Sequence, residues 1–142
     1  SGSAYVFTRS GTTWTEQQEL TASDAAEHDH FGSSVSVDGD TIVVGADGND
    51  DGGIYSGSAY VFIRSGTTWT EQQKLTASDA TAGDHFGRSV SVDGDTIVVG
   101  AYLDDDGGSR SGSAYVFASQ VNILIPLNSG WNLISVPLNI DS

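Results

Sequence analysis

The chain has 142 residues and a formal charge of −14, from 15 Asp and 4 Glu against five Lys and Arg. That balance argues against nucleic acid, whose phosphates need clustered Lys and Arg, and against insertion into or binding to an anionic membrane; it suits solubility and divalent cations. There is no Cys for a disulfide or a thiolate metal site, and no apolar run approaches the ~18–20 residues of a membrane span.

The chain opens on SGSAYVF at Ser1, and the same seven residues return at Ser56 and Ser111. Residues 1–55 and 56–110 align without a gap, with 44 of 55 positions identical, and a partial third unit covers 111–117. A fixed period of this size marks a repeat architecture, in which each unit buries its apolar face against its neighbours. Because the chain starts in mid-repeat and without a signal-peptide pattern, it is expected to be a processed chain or a fragment of a longer one, or an assembling subunit.

Residues 1–22 read as two strands, the third and fourth of a unit. A polar connection leads to residues 31–37, FGSSVSV, whose Val35 and Val37 alternate as in a strand. Asp38-Gly39-Asp40 follows, a tight-hairpin signal. Residues 41–46, TIVVGA, form a short buried-type strand. The acidic loop 47–53 then leads to a strand over 57–64, GSAYVFIR, with aromatic and β-branched residues. Ser65-Gly66 turns the chain into a more polar strand over 67–75. After the polar stretch 76–84 the pattern restarts at Phe86. Four antiparallel strands per repeat and no helix describe a β-propeller-type blade, so residues 1–119 are expected to form about two and a half all-β blade units. The tail, 120–142, breaks the repeat. Residues 121–127 and 131–140 read as apolar strands around an Asn128-Ser129-Gly130 turn. They are expected either to complete the last blade, with 121–127 in its fourth place, or to open a further β domain.

Phe31-Gly32 with Val44-Gly45-Ala46, repeated as Phe86-Gly87 with Val99-Gly100-Ala101, resembles the FG-GAP repeat. The resemblance covers residues 1 to about 118 and is closest to the prokaryotic variety. The tail segment SGWNLISVPL is similar to a stretch found in archaeal and bacterial surface proteins. The resemblance implies a non-catalytic blade module, extracellular or at the cell surface, with a structural and adhesive role. Two alternatives stand beside it. One is a subunit of a surface layer or filament that assembles by β-strand addition; the other is a propeller that binds carbohydrate or another ligand. Expected partners are other copies of the chain, further blades, or a cell-surface glycan.

The resemblance also implies calcium, held in a loop of the form D-x-D/N-x-D-G-x-x-D. Asp47, Asn49 and Asp51 match it in the first unit, with Tyr55 in the last ligand position. Asp104 and Asp106 match in the second, where Tyr102 and Arg110 replace the first and last ligands. Alternate hard oxygens at a Gly-permitted bend are what calcium takes, and the first loop, with more ligands, is expected to bind first. The plain alternative is an acidic solvated turn. Asp38 and Asp40, like Asp93 and Asp95, read as hairpin residues. Asp29-His30 and Asp84-His85 invite an acid–base interpretation, but no nucleophile recurs beside them, and a turn role is expected. Trp14 and Trp69 suit either sugar stacking or a wedge between blades. Tyr5, Tyr60 and Tyr115 with Phe7, Phe62 and Phe117 are expected in the core.

Overall fold

The computed structural model describes residues 1–127 and 130–137. Among the described residues there are eleven strands, each antiparallel to its partners, and no helix. β1 (Ala4–Ser10) and β2 (Thr13–Leu20) form a two-stranded sheet. β3 (Phe31–Asp38), β4 (Thr41–Ala46), β5 (Ser58–Ser65) and β6 (Thr68–Leu75) form a complete four-stranded blade in sequence order. β7 (Phe86–Asp93), β8 (Thr96–Ala101) and β9 (Ser113–Ala118) repeat the first three strands of that blade.

The hairpins form where the turn chemistry places them. Gly39 and Gly94 both take positive φ, 54° and 55°, between paired Asp residues. Alternation then fixes what each face carries. In the complete blade, Val35, Val44 and Tyr60 lie in one cross-strand row and Val37, Ile42 and Phe62 in the next. Ser36, Val43 and Val61 point the other way. The first face packs on the β1–β2 sheet, where Ile42, Val44, Tyr60, Phe62 and Trp69 meet Ala4, Val6, Leu20 and Ala22. The second face packs on the next sheet, where Val43, Ala59, Val61 and Leu75 meet Phe86, Val92 and Val99. The three repeat sheets form a stack in which each sheet's second face covers the first face of its successor.

The Phe-Gly and Gly-Ala pairs are the two sides of this contact. Phe86 is fully buried and meets Tyr115 and Phe117 edge-on, as Phe31 meets Tyr60 and Phe62. Gly87 takes φ +91° in the bulge after Phe86, and a Cβ there would lie 2.2 Å from the Ser58 carbonyl oxygen. Across from it, a Cβ on Gly45 would lie 1.9 Å from the Gly87 carbonyl oxygen. The backbones of successive sheets therefore touch, and only glycine fits at the touching points. Ser34 Oγ donates to that same Gly87 carbonyl at 2.7 Å, and the Val92 and Gly94 amides donate to Ser36 Oγ and an Asp38 carboxylate oxygen.

Two expectations require correction. The aromatic set is core only where a preceding sheet exists. Tyr60 and Phe62 are buried, but Tyr5 and Phe7, their equivalents in β1, are exposed because among the described residues nothing covers that face. The tail does not supply the fourth strand beside β9. β10 (Gln120–Leu127) pairs instead with β11 (Gly130–Pro137), in a separate two-stranded sheet. Only Ser119 separates β9 from β10, fewer than the two residues of the tightest antiparallel hairpin, whereas two residues separate β10 from β11. Residues 128–129 and 138–142 of the expected turn and second tail strand lie outside the described residues.

Candidate metal centre

The acidic loops after β4 and β8 enter two equivalent pockets, built by the same positions one repeat apart. In the first, Asn49 is buried, and its side-chain oxygen accepts from Ser58 Oγ at 2.8 Å and from the Asp51 amide at 3.2 Å. Asp24, from the connection after β2, accepts from the Tyr60 hydroxyl at 2.7 Å and from Lys74 Nζ at 2.6 Å. Lys74 also donates to Asp51 and lies 5.3 Å from the centre of the Tyr60 ring. Burial pulls the Lys74 ammonium down, but its hydrogen bonds to Asp24 and Asp51 outweigh this and leave its pKa raised. Burial likewise favours protonation of Asp24, and the bonds from Lys74 and Tyr60 override it and hold the carboxyl below its ordinary range.

The second pocket lacks that cation. Asp104 replaces Asn49 and is buried, accepting from Ser113 Oγ and from the Asp106 amide, both at 2.9 Å. The Tyr115 hydroxyl bridges Asp79 at 2.7 Å and Asp104 at 3.1 Å. Asp79, Asp104 and Asp106 each offer a carboxylate oxygen, all within 4.8 Å of one another. The position one repeat beyond Lys74 is Ser129, past the end of the repeat. The three carboxylates crowd one another with no Lys or Arg among them. Asp106 is raised to about 6, first by its hydrogen bond to Asp79 and then by the charges of Asp104 and Asp79. Asp79 is held below its ordinary value by hydrogen bonds from Asp106 and Tyr115. Burial and the two carboxylate bonds push the Tyr115 phenol up. Three carboxylates and a hydroxyl form a hard-oxygen set of the kind a divalent cation takes.

Of the residues expected to bind metal, the structure brings Asn49 to Asp51 and Asp104 to Asp106. It sets Asp47 apart. That carboxylate is buried beneath the next sheet, 3.2 Å from Arg88 and 3.5 Å from the Nδ1 atoms of His30 and His85. Asp47 is a strut between sheets. The sign of this lay among the eleven positions where the repeats differ: Ser33 becomes Arg88 where Asp47 becomes Tyr102, and Arg88 reaches back to Asp47 while lying 6.0 Å over the Tyr102 ring. Asp24 and Asp79 sit some 25 residues before their loops, outside any local ligand spacing, although both recur at the repeat period.

The Asp-His pairs organise turns. Asp29 and Asp84 are buried and accept from the backbone amides of Ala26 and Thr81, both at 2.8 Å. His30 and His85 take positive φ, 59° and 55°, just before each Phe-Gly. Trp69 is a wedge between sheets, its indole donating to Gln17 while Gln18 exchanges two hydrogen bonds with its backbone. The paired Gln residues, which recur at 72 and 73, carry no such role in the sequence-based account.

Two segments of the chain, residues 14–62 and 69–117, match the FG-GAP repeat profile. The chain belongs to the FG-GAP repeat family. Each match begins at a tryptophan on the last strand of one sheet, Trp14 or Trp69, and ends at the phenylalanine on the third strand of the next. The FG-GAP unit therefore contains the sheet-to-sheet contact described above. FG-GAP repeats occur in adhesion and propeller-type modules, and the family is generally non-enzymatic. No curated protein sequence matches the chain.

Proposed function

We propose that this FG-GAP chain is a non-catalytic structural and adhesion module at the cell surface. One observation carries the proposal. Most of the buried polar side chains that recur in both units are occupied in building turns and sheet contacts: Asp29 and Asp84, Tyr60 and Tyr115, Ser58 and Ser113, with Ser34 and Asp38 bonded across the interface. Groups so committed are not free to transfer protons to a substrate. The negative charge and the family's occurrence in adhesion modules support an outward-facing role. The test is binding of the immobilised chain to glycan arrays and to intact cells, beside turnover assays across hydrolase substrates. Binding without turnover is expected. Turnover abolished by His30→Ala or His85→Ala would overturn the proposal.

Calcium belongs to this reading, and the pockets favour the second loop over the first. The ammonium of Lys74 already stands between Asp24 and Asp51, whereas Asp79, Asp104 and Asp106 bring three carboxylate oxygens within 4.8 Å of one another with no Lys or Arg between them. Calorimetry with calcium is expected to give one site, lost in Asp106→Asn and retained in Asp51→Asn. The reverse pattern would restore the first loop. The glycan alternative rests on Trp14, since Trp69 is buried between sheets.

A further inference from the structure

Asp47 lies apart from the two acidic pockets, and its surroundings carry nitrogen rather than oxygen. Its side chain is 4% exposed, at the contact between the complete blade and the β7–β9 sheet. Arg88 Nη1 donates to its Oδ2 at 3.2 Å. The Nδ1 atom of His30 lies 3.5 Å from Oδ1, and that of His85 lies 3.5 Å from Oδ2. Neither approach is a hydrogen bond. Asp47 Oδ1 and His85 Nδ1 are both buried, and neither has a partner among the described residues. Buried polar atoms are nearly always paired, so two orphans in one place need an explanation. The place is interior to the chain. His30 precedes β3, Asp47 follows β4 and His85 precedes β7, and the two sheets that enclose them are both described.

We infer that His30, Asp47 and His85 bind a single zinc ion across this sheet-to-sheet contact. Two imidazole nitrogens and a carboxylate are a donor set for zinc, whereas calcium takes oxygen alone. The distances agree with the chemistry. Tetrahedral zinc, with bonds of ~2.0–2.1 Å, holds its ligand atoms about 3.3–3.4 Å apart. An imidazole 3.5 Å from a carboxylate oxygen is therefore longer than a hydrogen bond and close to the spacing of two ligands on one ion. Two of the three groups are held in advance. The His85 ring stacks on Tyr55, with centres 5.5 Å apart and planes at 11°. Arg88 fixes the carboxylate through Oδ2 and leaves Oδ1 open, as an outer partner of a metal ligand does. The His30 side chain is 53% exposed and free to turn onto the ion. The guanidinium repels a cation, and the charge of −14 on the whole chain opposes that repulsion. The set occurs once, because Tyr102 stands in the second unit where Asp47 stands in the first. Bound there, zinc ties three segments of two sheets together beside the Phe-Gly contact.

The inference depends on neither adhesion nor calcium. It is tested on the full chain, stripped of metal by a chelator and dialysed, by calorimetric titration with zinc chloride. Excess calcium is kept present to fill sites made of oxygen alone. One zinc per chain is expected. Nitrogen-15 spectra of the unaltered chain should show Nδ1 of His30 and His85 shifting on zinc addition, with His28 unmoved, so the test stands even if a variant fails to fold. His30 and His85 take φ of 59° and 55°, which Asn tolerates. His30→Asn and His85→Asn should each weaken zinc binding by more than about tenfold, since even outer partners of a metal ligand are worth that much. Asp106→Asn should leave it unchanged. Zinc should also raise the Tm of the unaltered chain but not that of His85→Asn. No zinc uptake, imidazole shifts confined to His28 or to Nε2, or an affinity unchanged in both His variants would each overturn the zinc site.

Discussion

Near-identical repeats place the same residue in two environments, and its contribution is read from the difference. Trp14 and Trp69 share a sequence context, yet only Trp69 is wedged between sheets. Trp69→Ala is expected to cost about 3–5 kcal/mol, as for other large buried aromatics. Trp14→Ala is expected to stay within about 0.5 kcal/mol, as for surface changes. Urea unfolding of the monomer compares the two, and equal losses would contradict the wedge. The acidic pocket has a similar test in pH. Asp106, raised to about 6, holds its proton more tightly when folded than when unfolded. Its contribution to stability is therefore present at low pH and is lost as pH climbs from the ordinary carboxyl value of ~4 to about 6. A carbon-13 titration of its carboxyl group should show a midpoint near 6. In Asp79→Asn the carboxylate partner and its charge are gone, and the midpoint should fall. A wild-type midpoint in the ordinary range would dissolve the cluster.

At the scale of elements, the strands were largely legible because three signals agree: alternation, Asp-Gly turns, and a period that repeats every boundary. Residues 41–46 were placed without error and the other strands of the complete blade within one residue. Half the site was legible too, since Asn49 to Asp51 and Asp104 to Asp106 follow from local loop spacing. Asp79, Lys74 and the strut at Asp47 did not, because those contacts join segments 23 to 50 residues apart and depend on how sheets stack. The tail strand misled because its apolar run fits either neighbour, and the single residue between β9 and β10, too short for a hairpin turn, decides against β9. The stacking itself is testable through its glycines. Gly45 abuts backbone, and Gly45→Ala should cost about 1–3 kcal/mol or more, because the Gly87 carbonyl cannot step aside without separating the sheets. The equivalent Gly100 meets only the Ser89 hydroxyl, which is free to rotate, so Gly100→Ala should cost clearly less in the monomer. Denaturant midpoints measured at a concentration too low for association separate the two cases.

For the whole molecule the governing quantity is charge. Nineteen acids face five bases, and three of those bases are already engaged: Arg64 by Asp40, Lys74 by Asp24 and Asp51, and Arg88 by Asp47. The remaining acids repel one another across a compact body, which opposes folding. Added salt screens that repulsion over about 8 Å at physiological strength and less beyond it. It also weakens the ion pairs, but exposed pairs are worth only about 0–1 kcal/mol each. Repulsion among many acids outweighs a few pairs, so Tm should rise as NaCl is increased, by about 2–8 °C for each kcal/mol relieved. Calcium at matched ionic strength separates screening from binding. If the Asp79, Asp104 and Asp106 pocket takes the ion, calcium chloride raises Tm beyond the sodium chloride value. Asp106→Asn then removes only that excess and leaves the sodium response intact. A Tm that falls with NaCl would mean that the ion pairs at Arg64, Lys74 and Arg88 hold the stack together more strongly than the acids push it apart.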